Sequence, residues 1–205
     1  MTNAYSCFRI LMQDTKNICT LYNYLSQVVK PPYDYSDLLR WQWAQSVSAL
    51  DKLIHDIVRI GMRECFLGNR PITDKFSNFA LNFSTYQQLQ QNQLSASLIF
   101  EQYVTAKNKT LSFQDPDKIS DGLSYIWSEA HKWHAIAAQM GKPENLVRTE
   151  LKNIAIRRNQ IVHEGDYLVT SASRQAIEKA DVDEVIDFIE QLGNAVYTLI
   201  YQPAT

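Results

Sequence analysis

Apolar residues recur three and four positions apart through almost all of this 205-residue chain, and no stretch alternates apolar with polar as a half-buried strand does. Side chains at that spacing share one face of a helix, so the chain must bury its apolar stripes helix against helix. Only six glycines and six prolines are present, which makes hairpin turns scarce. The expectation is an all-α bundle of five to six helices, one domain spanning residues 1–205.

The periodicity and the local stop signals place those helices. The first covers about residues 4–29, with Phe8, Leu11, Met12, Ile18, Leu21, Tyr22, Leu25 and Val28 facing inward. Lys30-Pro31-Pro32 stops it, because proline lacks an amide donor and disfavours helix in its predecessor. The second opens at Ser36 or Asp37, both good caps, and runs to Cys65 or Phe66. A third spans 84–107 from a Ser84 cap, with Gln87, Gln88, Gln90, Gln91 and Gln93 as a solvated face. Asp115-Pro116 starts a fourth, ending at Gly141-Lys142-Pro143, since proline suits a first-turn position. The fifth runs from Glu144 to Glu164 and closes at Gly165, a natural left-handed cap. A sixth begins near Ala180 or Asp181 and carries Val182, Val185, Ile186, Phe188, Ile189, Leu192, Val196, Leu199 and Ile200.

Several classes of protein are set aside. Arg9, Asp14 and Lys16 interrupt the first thirty residues, so these read neither as a signal peptide nor as a membrane span. No membrane association is expected, and the predicted location is cytoplasmic. Three scattered cysteines, Cys7, Cys19 and Cys65, suit a reducing compartment and buried packing better than a disulfide framework. A net charge of −2 gives no global pull towards nucleic acid. A local one exists in Lys142, Arg148, Lys152, Arg157 and Arg158, offset by Glu144 and Glu150.

That basic segment holds Arg157-Arg158-Asn159-Gln160-Ile161-Val162-His163-Glu164-Gly165. A fixed cation, a hydrogen-bonding amide and a group that titrates near neutral pH are the tools for cleaving a phosphodiester without a metal. Asn159 and His163, four apart, share a helix face, whereas Arg158 stands about 140° from His163 at ~100° per residue. The long arginine stem can curl round, or a symmetric second copy can supply the missing half. The plainer alternative is that both arginines are solvated and His163 favourably ends a helix dipole.

The motif resembles the signature of the HEPN superfamily, all-helical proteins many of which are metal-independent ribonucleases. Ser46-Val47-Ser48-Ala49-Leu50-Asp51-Lys52-Leu53-Ile54-His55-Asp56 looks like the early helix of its RiboL-PSP-HEPN branch, and Ala180-Asp181-Val182-Asp183-Glu184-Val185-Ile186 is similar to that branch's terminal helix. The resemblance implies a symmetric homodimer in which two motifs face one another. It also implies attack of the RNA 2′-hydroxyl on the adjacent phosphate, leaving a 2′,3′-cyclic phosphate. In that picture Arg158, His163 and Asn159 are catalytic. His163 moves protons, Arg158 stabilises the charge on the phosphorane, and Asn159 orients the histidine or a phosphate oxygen. Arg157, Lys152 and Arg148 would bind RNA. One departure stands out: toxins of this superfamily that are silenced by nucleotidylation carry tyrosine two residues after the histidine. This chain has Gly165 there, with Tyr167 the nearest tyrosine.

Other groups read less sharply. Asp51 and His55, one turn apart, suit either a structural hydrogen bond or support of the active site from behind. His131, His134 and Glu129 lack a compelling third metal ligand, and Trp133 between them suggests packing. Trp41, Trp43, Trp127 and Trp133 fit a core better than a base-stacking platform. No phosphate-cradling glycine loop and no zinc-ligand spacing is present, so neither metal nor cofactor is expected. The expected function is an endoribonuclease in a defence or toxin setting, with RNA as substrate and a neutralising antitoxin or defence-system protein as possible partner. The alternative is a non-catalytic module that binds RNA, nucleotide or a partner protein through the same face.

Overall fold

The computed structural model describes residues 2–168 and 173–201. Among these the chain is helical, with one isolated antiparallel bridge between Tyr167 and Arg174 and no strand. Five helices of 13 or more residues make the bundle: α1 (Thr2–Tyr24), α2 (Asp37–Phe66), α5 (Ala96–Asn108), α8 (Glu144–Glu164) and α9 (Lys179–Tyr201). Four shorter ones connect them: α3 (Asp74–Ser77), α4 (Phe83–Gln91), α6 (Pro116–Leu123) and α7 (Lys132–Gln139).

The 30-residue α2 is the axis of the bundle, because it buries residues on every side. It packs on α1, α5, α8 and α9, and Leu39, Leu50, Leu53, Ile54, Ile57 and Met62 are fully enclosed between them. The inward stripe of α9, from Val182 through Phe188 to Val196, closes the opposite side. Gly193 lets α9 approach α1, since a Cβ there would collide with the ring of Phe8.

Two predicted helices are broken. The third is split at Asn92, where backbone angles of −124° and 59° interrupt α4 before a short 3-10 turn leads into α5. Its cap is Asn82, not Ser84: the Asn82 Oδ1 accepts the Thr85 N–H at 2.8 Å. The fourth stops at Leu123 because the connector before α4 takes its carbonyls. Thr73 Oγ1 lies 2.9 Å from Ser124 O and 3.1 Å from Tyr125 O, and Arg70 donates to Ile126 O at 3.2 Å. The five glutamines are exposed. Trp133 is 4% exposed and donates to Pro116 O, whereas Trp41 lies at the surface. Burial pushes the Cys65 thiol up from its ordinary pKa. No helix among the described residues is long and apolar enough to cross a membrane.

Candidate active site

Helix α8 runs antiparallel to α2. Trp43, near the start of α2, donates its indole N–H to Ile154 O at 3.1 Å, and Arg40 one turn earlier meets Asp166 beyond the α8 terminus. Val147, Leu151, Ile154 and Ala155 bury one side of α8. Lys152, Asn153, Ile156, Asn159 and His163 are exposed on the other, so Asn159 and His163 share an open face one turn apart.

Arg158 starts on the inner side and reaches round. Its Nη1 donates to Asn159 Oδ1 at 3.2 Å, while its Nε is buried with no hydrogen-bond partner among the described residues. No carboxylate among the described residues pairs with it. Arg158 therefore keeps donors free beside the Asn159 amide, at the edge of the face that carries His163.

Arg157 differs in every respect. Its Nε lies 2.9 Å from Asp166 Oδ1, its Nη2 donates to Asp166 Oδ2 at 2.9 Å and to Ala176 O at 3.0 Å, and its Nη1 donates to Gln175 Oε1 at 2.8 Å. Asp166 is wholly buried and also accepts from Arg40 Nε at 2.8 Å. The sequence reading groups Arg157 with the RNA-facing cations; in the fold its guanidinium is committed to holding the end of α8. The signal was present in Gly165-Asp166, since aspartate is among the few residues that tolerate a left-handed backbone. Both adopt it, with φ of 63° and 65°.

Two members of the basic segment have acidic partners at the surface. Arg148 pairs with Asp117 at 2.7 Å and Glu144 at 3.4 Å, and Lys142 pairs with Glu150 at 3.5 Å. Lys152 and Arg158 are the members without an acidic partner among the described residues. A cleft of about 400 Å³ between α8 and the start of α9 lies on another flank, lined by Glu150, Asp181 and Glu184 beside Arg157 and Trp43. Its three carboxylates make it a poor path for a phosphate backbone, and Arg157 and Asn159 point about 160° apart around α8.

Asp51 and His55 sit elsewhere. They lie about 16 Å and 22 Å further along α2 than Arg40, at 1.5 Å per residue. Asp51 Oδ1 accepts the Phe113 N–H, and His55 stands edge-on to the Phe113 ring with its Nε2 3.9 Å from Asp51 Oδ2. They brace the α5–α6 connection and do not meet His163. No group of three or more histidine, cysteine, aspartate or glutamate side chains among the described residues converges as a metal site. His131 lies at the start of α7, with its N–H on Glu129 Oε1.

The family model of RiboL-PSP-HEPN domains matches residues 11–202. The chain belongs to this family. No curated protein and no solved structure matches it significantly. The matched span of the RiboL-PSP-HEPN domain contains α2 through α8 entire, and so both the Arg40–Asp166 contact and the Arg158–His163 segment. Membership of the HEPN superfamily supports a nuclease or RNA-related role.

Proposed function

We propose that this RiboL-PSP-HEPN protein is a metal-independent endoribonuclease whose active site forms where two copies meet across α8. The observation that carries the proposal is the Arg158 Nη1–Asn159 Oδ1 bond beside an exposed His163 on one open helix face. It sets a cation beside the face that carries a proton carrier, where simple phosphate binding needs only the cation.

The reaction follows from those groups. The His163 imidazole takes the proton from a ribose 2′-hydroxyl, whose oxygen forms a bond to the adjacent phosphorus. The bond from phosphorus to the 5′-oxygen breaks, and that oxygen receives a proton, leaving a 2′,3′-cyclic phosphate and a free 5′-hydroxyl. In this reading a second protonated group, His163 of the other copy or water, supplies that proton. Arg158 neutralises the additional charge of the phosphorane, which a planar guanidinium does through two parallel hydrogen bonds. Asn159 holds Arg158 in register. Lys152 adds the remaining uncommitted charge for the RNA backbone.

The surface supports a two-fold contact here. Ile156 and Val162 are 49% and 47% exposed, and Asn159 lies midway between them in sequence and around the helix. An axis through Asn159 sets Ile156 of one copy against Val162 of the other. An isologous contact of this kind is the commonest symmetry among oligomers. A toxin or defence role, with a neutralising partner, fits such an enzyme.

The test is incubation of purified protein with mixed RNA in excess chelator, beside His163→Ala, with analysis of product ends. Cleavage that yields cyclic phosphate and disappears in the variant supports the proposal. RNA retained but never cut leaves a binding module in its place.

A further inference from the structure

Directly after His163 the chain turns back on itself and presents an aromatic ring in the open. Beyond Gly165 and Asp166, Tyr167 bridges to Arg174, its N–H donates to Glu164 O at 3.3 Å, and Leu168 N–H donates to Ser173 O at 3.0 Å. The ring folds over the backbone of Gly165, where an added Cβ would stand 3.4 Å from its Cδ2. The Arg174 guanidinium lies 5.6 Å from the ring centroid and is itself held by Asp37 at 2.5 Å. The buried Asp166 fixes the base of this return to both Arg40 and Arg157. Tyr167 is nonetheless 49% exposed, and its hydroxyl has no hydrogen-bond partner among the described residues.

Such a ring is held as a platform is held: supported at one edge and by a cation, with the remainder open. An aromatic ring of this kind stacks nucleobases without regard to sequence, and an adjacent arginine strengthens the contact. The ring belongs to a residue four positions past His163, on a return that begins at the α8 terminus. The ring lies over Gly165, two residues past His163, so a base next to a phosphate bound at the α8 terminus can reach it. We propose that Tyr167, backed by Arg174, is the base-stacking platform of the α8 site, taking a base that neighbours the bound phosphate. This rests on RNA being the ligand of that site. A base inside a duplex is stacked on its neighbours and cannot reach the ring.

Binding separates the platform from the chemistry. Protein carrying His163→Ala is titrated by fluorescence anisotropy against a short single-stranded RNA of mixed sequence, the same RNA as a duplex, and a uniformly abasic ribose-phosphate oligomer of equal length. Adding Tyr167→Ala should weaken single-strand binding by about 5- to 100-fold, the usual loss for one stacked base. Adding Tyr167→Phe should preserve it, because the ring is retained. Neither change should alter binding of the duplex or the abasic oligomer. An equal loss on the abasic oligomer, no loss on the single strand, or no RNA binding at all overturns the proposal. The catalytic reading fails separately. Were the unsubstituted chain to bind RNA with this Tyr167 dependence and never cut it, cleavage alone would be excluded. Were it to cut RNA equally well with Tyr167→Ala, the platform alone would be.

Discussion

Arg40 and Asp166 are 126 residues apart in the chain and 2.8 Å apart in the structure, and this contact fixes where α8 ends. Arg157 completes the group from within α8. Asp166→Ala leaves two guanidinium groups facing each other with little solvent between them. The expected loss is about 3–5 kcal/mol, the usual result of removing one member of a buried charged set. Equilibrium urea unfolding measures it, and a loss below about 1 kcal/mol would show that the group is peripheral.

His163→Ala should lower the RNA cleavage rate by about 10²–10⁴-fold if the imidazole transfers protons in the rate-limiting step. Arg158→Ala should cost a comparable factor, and Arg158→Lys should recover little of it, because an ammonium cannot offer two parallel donors. Because His163 is exposed and no other side chain of the described residues is bonded to it, its removal should change the unfolding free energy by no more than about 0.5 kcal/mol. Cleavage that survives His163→Ala sinks the assignment.

Arg157 and Lys152 should respond in opposite ways. Arg157→Ala removes hydrogen bonds to Asp166, Gln175 and Ala176, so stability should fall by about 1–3 kcal/mol. Lys152→Ala should leave the midpoint of unfolding unchanged and weaken RNA binding. The slope of log K against log salt concentration should shrink by about 0.7, one phosphate contact on a single strand. The opposite pattern would return Arg157 to the RNA interface.

Ile156→Glu or Val162→Glu should convert a dimer to a monomer, as read by sedimentation velocity, and abolish cleavage with it. In a two-fold contact each substitution acts twice, so one change places two carboxylates in an apolar interface. A chain that is monomeric without substitution, yet active, would remove the composite site.

Gly193→Ala should destabilise the bundle by about 1–3 kcal/mol, because the new methyl group enters the space of the Phe8 ring where α1 crosses α9. Thermal unfolding monitored by circular dichroism is sufficient to see it.

The long helices were legible because each carries its own punctuation. Pro31-Pro32 before α2, Asp115-Pro116 at α6 and Gly165 after α8 act on the backbone locally. The breaks after Leu123 and at Asn92 were hidden for a different reason. The first depends on Thr73 and Arg70, more than fifty residues away, taking carbonyls that a helix would use. At the site, the shared face of Asn159 and His163 follows from their spacing. The division of labour between Arg157 and Arg158 does not, because it depends on Asp166 folding back beneath the helix. Asp51 and His55 showed a similar gap: their spacing puts them one turn apart, but Phe113, which they meet, lies 62 residues beyond Asp51.

Helix termini ordinarily fray, and their last amides exchange with solvent through small, frequent openings. The end of α8 has little freedom to do so. Asp166 N–H bonds to Gln160 O at 3.0 Å, and Gln175 N–H bonds to Asp166 O at 2.9 Å, while the Asp166 carboxylate is anchored to α2. Releasing His163's backbone therefore requires separating α8 from α2. In hydrogen–deuterium exchange, the Asp166 and Gln175 amides should be as slow as those of the central α2 turns, leaving the end of the helix that carries His163 among the last parts of the chain to open.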